Sequence, residues 1–294
     1  MAKRLVIFLV VTFSLTWGLQ IPAGIALGTF EHGISSSVTM YALVSISMFF
    51  PLVGALVSSA ACKKEDPFDL GFRPNIKGNI RYYVLAWLLP PALALLCAAV
   101  YFLAFSQEFD PSMSVYLSTL AEQSGAELGE LGMSPAALFA LTLVSALTYG
   151  SAINMFVSFG EEAGWRGVLY PALAQTMSQR SAAVVSGAIW GVWHAPVIAM
   201  GHNYGTDYAG FPVLGIFAMV LACTAYGVFM AYLRQRSGSV WPCSLAHGSF
   251  NAAANIGVVF SISGLTVLGP NPLALVAGIP LFVLGIVCWT RLES

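Results

Sequence analysis

This sequence predicts an all-α, polytopic membrane protein with about eight transmembrane helices, and three observations carry the prediction. Of 294 residues 58% are hydrophobic and only 9% charged, with a mean hydropathy of +0.80, whereas soluble globular chains carry about 25% charged residues. Apolar stretches recur at close to the roughly 20 residues that a helix needs to cross a bilayer. The basic residues between them are confined to one of two alternating sets of connections, as the positive-inside rule expects.

The stretches cover residues 5–28, 38–61, 82–105, 136–160, 182–200, 211–233, 239–260 and 271–290. The first follows Lys3 and Arg4 and continues to about Leu27. A signal peptide has an apolar region of about 7 to 15 residues, so this one reads as a retained span. Pro22, Pro51, Pro90, Pro91, Pro171 and Pro196 punctuate the spans, and each predicts a kink because proline removes a helical hydrogen bond. The fourth stretch runs into Glu161 and Glu162. A helix starting near Pro135 would place Glu161 about 37 Å along it, so this helix is expected to tilt, to start later or to continue to about Met177.

All 12 basic residues (Lys3, Arg4, Lys63, Lys64, Arg73, Lys77, Arg81, Arg166, Arg180, Arg234, Arg236, Arg291) lie at or near one set of span ends. The other set holds Glu31, Glu108, Asp110, Glu122, Glu127, Glu130 and Asp207 without a single Lys or Arg. The expectation is an integral protein of a prokaryotic plasma membrane, with both termini in the cytoplasm and residues 106–135 outside. A single transmembrane domain of residues 1–294, with no repeat or long linker, accounts for the length, and its motif-bearing core is about 136–260. Five cysteines include no CxxC pair, and the four of them within apolar stretches read as packing residues. No basic arm, phosphate loop or interleaved basic and aromatic patch is present, so nucleic acid is not an expected partner.

Ionisable side chains inside a membrane are costly, which makes them functional candidates by default. Three clusters qualify. Glu161, Glu162 and Arg166 end the fourth stretch; Glu162 and Arg166, four apart, share a helix face, while Glu161 is turned about 100° away. Trp190 and His194 occupy the fifth, with His194 about 20 Å beyond Arg180. His247, Asn251 and Asn255 form a stripe at spacings of four on the seventh. Buried polar groups need partners, and these clusters are each other's nearest candidates.

In this order and on three separate spans, the clusters resemble the CAAX prenyl protease and bacteriocin-processing family of intramembrane proteases, also called Abi or type II CAAX endopeptidases. The resemblance lies in EExxxR (Glu161, Glu162, Arg166), aromatic-xxx-His (Trp190, His194) and HxxxN (His247, Asn251). It covers about residues 155–260, and the aromatic position, often Phe in the prenyl-protease branch, is Trp190 here. The resemblance implies an all-helical membrane fold in which Glu161 is the general base, His194 positions the water, and His247 with Asn251 forms the oxyanion hole. Glu162, Arg166 and Trp190 would support them. The implied partners are the lipid bilayer and a peptide or membrane-protein substrate, lipidated or not, and no cofactor is implied. The site is expected to open toward the cytoplasm.

Other readings stand beside this one. Two histidines and a glutamate are also a catalytic zinc set, which would be Glu161, His194 and His247, although no HExxH motif is present. A non-catalytic membrane protein, such as an immunity factor, or a transporter with polar groups at broken helices is a different class; no inverted repeat is visible.

Overall fold

The computed structural model describes residues 2–29, 38–63, 68–124 and 134–293. Glu31, Lys64, Glu127 and Glu130 of the charge pattern lie outside the described residues.

All eight apolar stretches carry helix. The first is α1 (Ala2–Ala26), the second α2 (Val38–Ser47) with α3 (Phe50–Cys62), and the third α4 (Ile80–Ala104). A short α5 (Ser114–Ser124) falls in the acidic connection. The fourth comprises α6 (Pro135–Leu147) and α7 (Tyr149–Gly164), the latter prolonged by a π-helical turn (Trp165–Leu169) and α8 (Tyr170–Leu173). The fifth is α9 (Gln179–Trp193) with α10 (Ala195–Ala199), the sixth α11 (Val213–Ser237), the seventh α12 (Trp241–Ala253) and the eighth α13 (Ile279–Arg291). Among the described residues the only β pairing is an isolated bridge between Phe109 and Ser261.

Helix position follows the sequence expectation more closely than helix length. Among the described residues four helices are long and apolar enough to cross a membrane alone (Ala2–Ala26, Ala42–Cys62, Ile80–Ala104 and Val213–Ser237), and the bent fourth pair makes a fifth if counted as one. The fifth, seventh and eighth stretches are built from shorter helices. Proline explains one of these breaks: Pro196 lies in the first turn of α10 and has no N–H to continue the ladder of α9, so the helix stops at His194.

The fourth stretch bends by 44° at Thr148, where there is no proline. Backbone groups freed inside a membrane helix must find partners, and here the three carbonyls before the bend do. The Ser145 carbonyl accepts from Thr148 N, that of Ala146 from the Ser151 hydroxyl, and that of Leu147 from Trp87 Nε1 at 2.9 Å. The bend, with the continuation to Leu173, resolves the depth of Glu161: it sits in the middle of a second helical segment rather than at the far end of one straight rod.

Side-chain bonds gather the basic ends on one side. Arg180 Nε and Nη2 donate to the carbonyls of Leu292 and Thr290, Arg236 to that of Arg291, and Arg234 to that of Arg166. Asn75 reaches the carbonyls of Ser237 and Gly238, and Arg4 bonds Ser59 and lies over Phe68. On the opposite side residues 108–110 join 260–263, and Tyr204 Oη donates to the Leu273 carbonyl. The membrane-embedded core between them depends on small residues. A Cβ added at Gly191 of α9 would meet the Val220 Cα of α11 at 2.5 Å, and one at Gly248 of α12 would run into the α7 backbone at Asn154 and Met155.

Candidate active site

α7 carries Glu161 and Glu162 in its last turn, and the chain runs on into the π-helical turn, all five of whose residues are buried. Such turns frequently mark functional sites. Adjacent in sequence, the two carboxylates have different surroundings. Glu161 Oε2 accepts hydrogen bonds from Trp165 Nε1 at 3.1 Å and Trp190 Nε1 at 2.7 Å, and its Oε1 carries none among the described residues. Glu162 Oε1 accepts from Arg166 Nη1 at 3.0 Å and from His247 Nδ1 at 2.9 Å. The ion pair expected from spacing is therefore present, and His247 is a further partner.

Trp190 ties the cluster together. Besides bonding Glu161, its ring carries the Arg166 guanidinium at 4.4 Å and meets the His247 ring edge-on at 5.3 Å. The His194 ring is 5.8 Å away. His194 sits at the break that Pro196 imposes, and its Nδ1 lies 2.9 Å from the Trp190 carbonyl. A carbonyl only accepts, so Nδ1 carries the hydrogen, and in the neutral ring Nε2 holds the lone pair. Trp193 anchors this turn to α1: its indole donates to the Thr16 hydroxyl, and its carbonyl accepts from Trp17.

One cavity of about 300 Å³ is lined by Glu161, Trp190, His194, His247 and Asn251. All four residues expected to be catalytic therefore border the same space although they come from α7, the α9–α10 break and α12. Glu162 and Arg166 lie behind it, buried and off the lining. Asn255, the end of the sequence stripe, also lines it. Sequence reasoning missed Gln20, Asn154, His202, Asn203, Cys223 and Asn271. For Gln20 a signal existed: Phe8, Thr12, Thr16, Gln20 and Gly24 recur at spacings of four, and all are buried.

Among the described residues no group of three His, Cys, Asp or Glu side chains could hold an ion. In His194 and His247 Nδ1 meets a protein acceptor and Nε2 has no partner among the described residues, and in Glu161 Oε2 meets two indoles while Oε1 has none.

Residues 141–253 match the family model described as type II CAAX prenyl endopeptidase Rce1-like. The matched segment contains Glu161, Trp190, His194, His247 and Asn251, while Gln20 and Asn271 of the cavity lie outside it. No curated protein matches the chain significantly. The match and the apolar helices identify a polytopic membrane protein with a segment similar to CAAX-type proteases.

Proposed function

We propose that this chain, whose motif-bearing segment matches a CAAX protease family, is an intramembrane endopeptidase in which Glu161 and His194 activate a water and His247 with Asn251 binds the oxyanion. The supporting observation is convergence: four side chains from three separate helical segments border one cavity. A water held between Glu161 and the His194 Nε2 lone pair attacks the scissile carbonyl, and its proton passes to Glu161. Collapse of the tetrahedral intermediate breaks the C–N bond, and the same proton goes to the departing amine.

Hydrogen bonding constrains the second pair. His247 Nδ1 faces Glu162, so only Nε2 can reach an oxyanion, and it donates only when the ring is an imidazolium. When Glu161 takes the water's proton, the negative charge it loses reappears on the oxyanion, which His247 and Asn251 are placed to receive. A donor fixed in a water-poor site contributes about 3 kcal/mol to such a transition state.

Glu161→Gln keeps the shape of the side chain and removes the base. Purified protein is incubated with a panel of lipidated CAAX peptides, bacteriocin precursors and membrane-protein tails, and products are identified by mass. Glu161→Gln is expected to abolish turnover without changing the thermal unfolding midpoint. Full activity of this variant would eliminate the mechanism.

A further inference from the structure

We infer that the cavity receives its substrate from the face opposite the basic helix ends, and that this substrate is a peptide segment presented on the outer side of the membrane, bound through neutral amide side chains. That the occupant is a substrate rests on the peptidase reading; the side of access rests on the geometry of the cavity together with the charge-based topology.

The lining residues share one feature of position. Gln20 is about 27 Å along α1 from its Lys3 and Arg4 end. Met219 and Cys223 lie in the first half of α11, which ends in Arg234 and Arg236. His202 and Asn203 follow α10, whereas Arg180 begins α9. Asn271 and Leu273 precede α13, which ends in Arg291. In each of these elements the cavity lies toward the end away from the arginines. Among the described residues, none from the connections 62–81, 166–180 or 234–241 lines it.

Toward the basic ends the helices are packed together by aromatic rings. The Trp241 ring stacks on Phe159 at 4.7 Å, Phe72 packs on Phe159 at 5.2 Å, and Trp241 Nε1 donates to the Phe72 carbonyl at 2.8 Å. Behind these rings lies the buried π-helical turn, and Arg234 fastens it through the Arg166 carbonyl at 3.1 Å. Since basic connections stay in the cytoplasm, the cavity faces outward. On this proposal the cavity opens on the side opposite to the cytoplasmic one expected from the sequence.

The chemistry of the lining narrows the ligand. Gln20, Asn154, Asn203, Asn255 and Asn271 line the cavity, and no Lys or Arg does among the described residues. A primary amide offers both a donor and an acceptor, as a peptide unit does. Gln20 is 3% exposed, and its Oε1 is buried without a partner among the described residues. An acceptor in that position suits a backbone N–H of an extended chain. A free carboxylate or a phosphate would find no Lys or Arg there among the described residues.

Access is tested with Asn203→Cys, Asn255→Cys and Gln175→Cys. The background is Cys223→Ser, which removes the cysteine that lines the cavity; the other four cysteines are buried, and this background without an added cysteine serves as the blank. A membrane-impermeant maleimide is applied to intact cells and to sealed inside-out vesicles. Positions 203 and 255 are expected to react in cells and be protected in vesicles, with the reverse at 175. Reaction of 203 and 255 only in vesicles, or in neither preparation, overturns the side of access. An impermeant fluorogenic peptide added to intact cells tests the occupant. The wild type should cleave it and Glu161→Gln should not, and Gln20→Ala should raise KM about tenfold with kcat little changed. Equal cleavage by Glu161→Gln would remove the peptidase reading and leave the labelling result standing. An unchanged KM in Gln20→Ala would remove the amide subsite.

Discussion

Glu161 and Glu162 differ by one residue and by about 100° of helix, and that rotation separates a carboxylate bordering the cavity from one buried behind it. His247→Ala and Asn251→Ala are each expected to lower kcat by about 10² to 10³, as removal of an oxyanion donor does. Steady-state kinetics of the double variant should show a loss smaller than the product, because both donors act on one charge. Glu162→Gln or Arg166→Ala should instead reduce stability by about 3 to 5 kcal/mol along with activity, since each leaves a buried charge unpaired; unfolding in denaturant measures this. Chelators are expected to leave turnover intact, and loss with 1,10-phenanthroline that zinc restores would reassign Glu161, His194 and His247 to a metal. The pair between Glu162 and Arg166 was legible from a spacing of four. The bond from His247 to Glu162 was not, because it depends on the register between α7 and α12, which no spacing within one helix reveals.

At the scale of elements, the site depends on interruptions. Pro196 stops α9 at His194, and a proline in that position is readable in advance. The bend at Thr148 has no proline to announce it; it exists because Trp87, Thr148 and Ser151 supply donors to the freed carbonyls. Tertiary partners of that kind are invisible in a hydropathy pattern, and this is why the length of the fourth span could be narrowed only to three options. Two glycines set the spacing of the helices that carry the site. Gly191→Leu would force α9 away from Val220 of α11, and Gly248→Val would force α12 away from Asn154 and Met155 of α7. Both are expected to lower the melting temperature in detergent by several degrees. The Gly248 variant should also lose activity out of proportion to its stability, because His247 is its neighbour. A Gly248→Val protein with wild-type melting and turnover would refute the close approach.

For the whole molecule, one set of arginines does two kinds of work. Their charge is what the positive-inside rule reads, and their guanidinium forks close the last carbonyls of α13: Arg180 bonds Thr290 and Leu292 and lies over Trp289, while Arg236 bonds Arg291. The first role needs only charge, whereas the second needs the planar, multidentate fork that lysine lacks. That these basic helix ends group together was legible from the charge pattern. The carbonyls they close were not, since Arg180 and Leu292 are 112 residues apart. The two roles separate experimentally. Arg180→Lys should lower the melting temperature by a few degrees while maleimide labelling at position 175 remains cytoplasmic. Arg180→Ala combined with Arg236→Ala should lower it further and still leave the topology unchanged, because the remaining basic residues lie on the same side. Unaltered melting of Arg180→Lys would show that charge alone matters at this end of the bundle, and inverted labelling of the double variant would show that orientation rests on these two side chains.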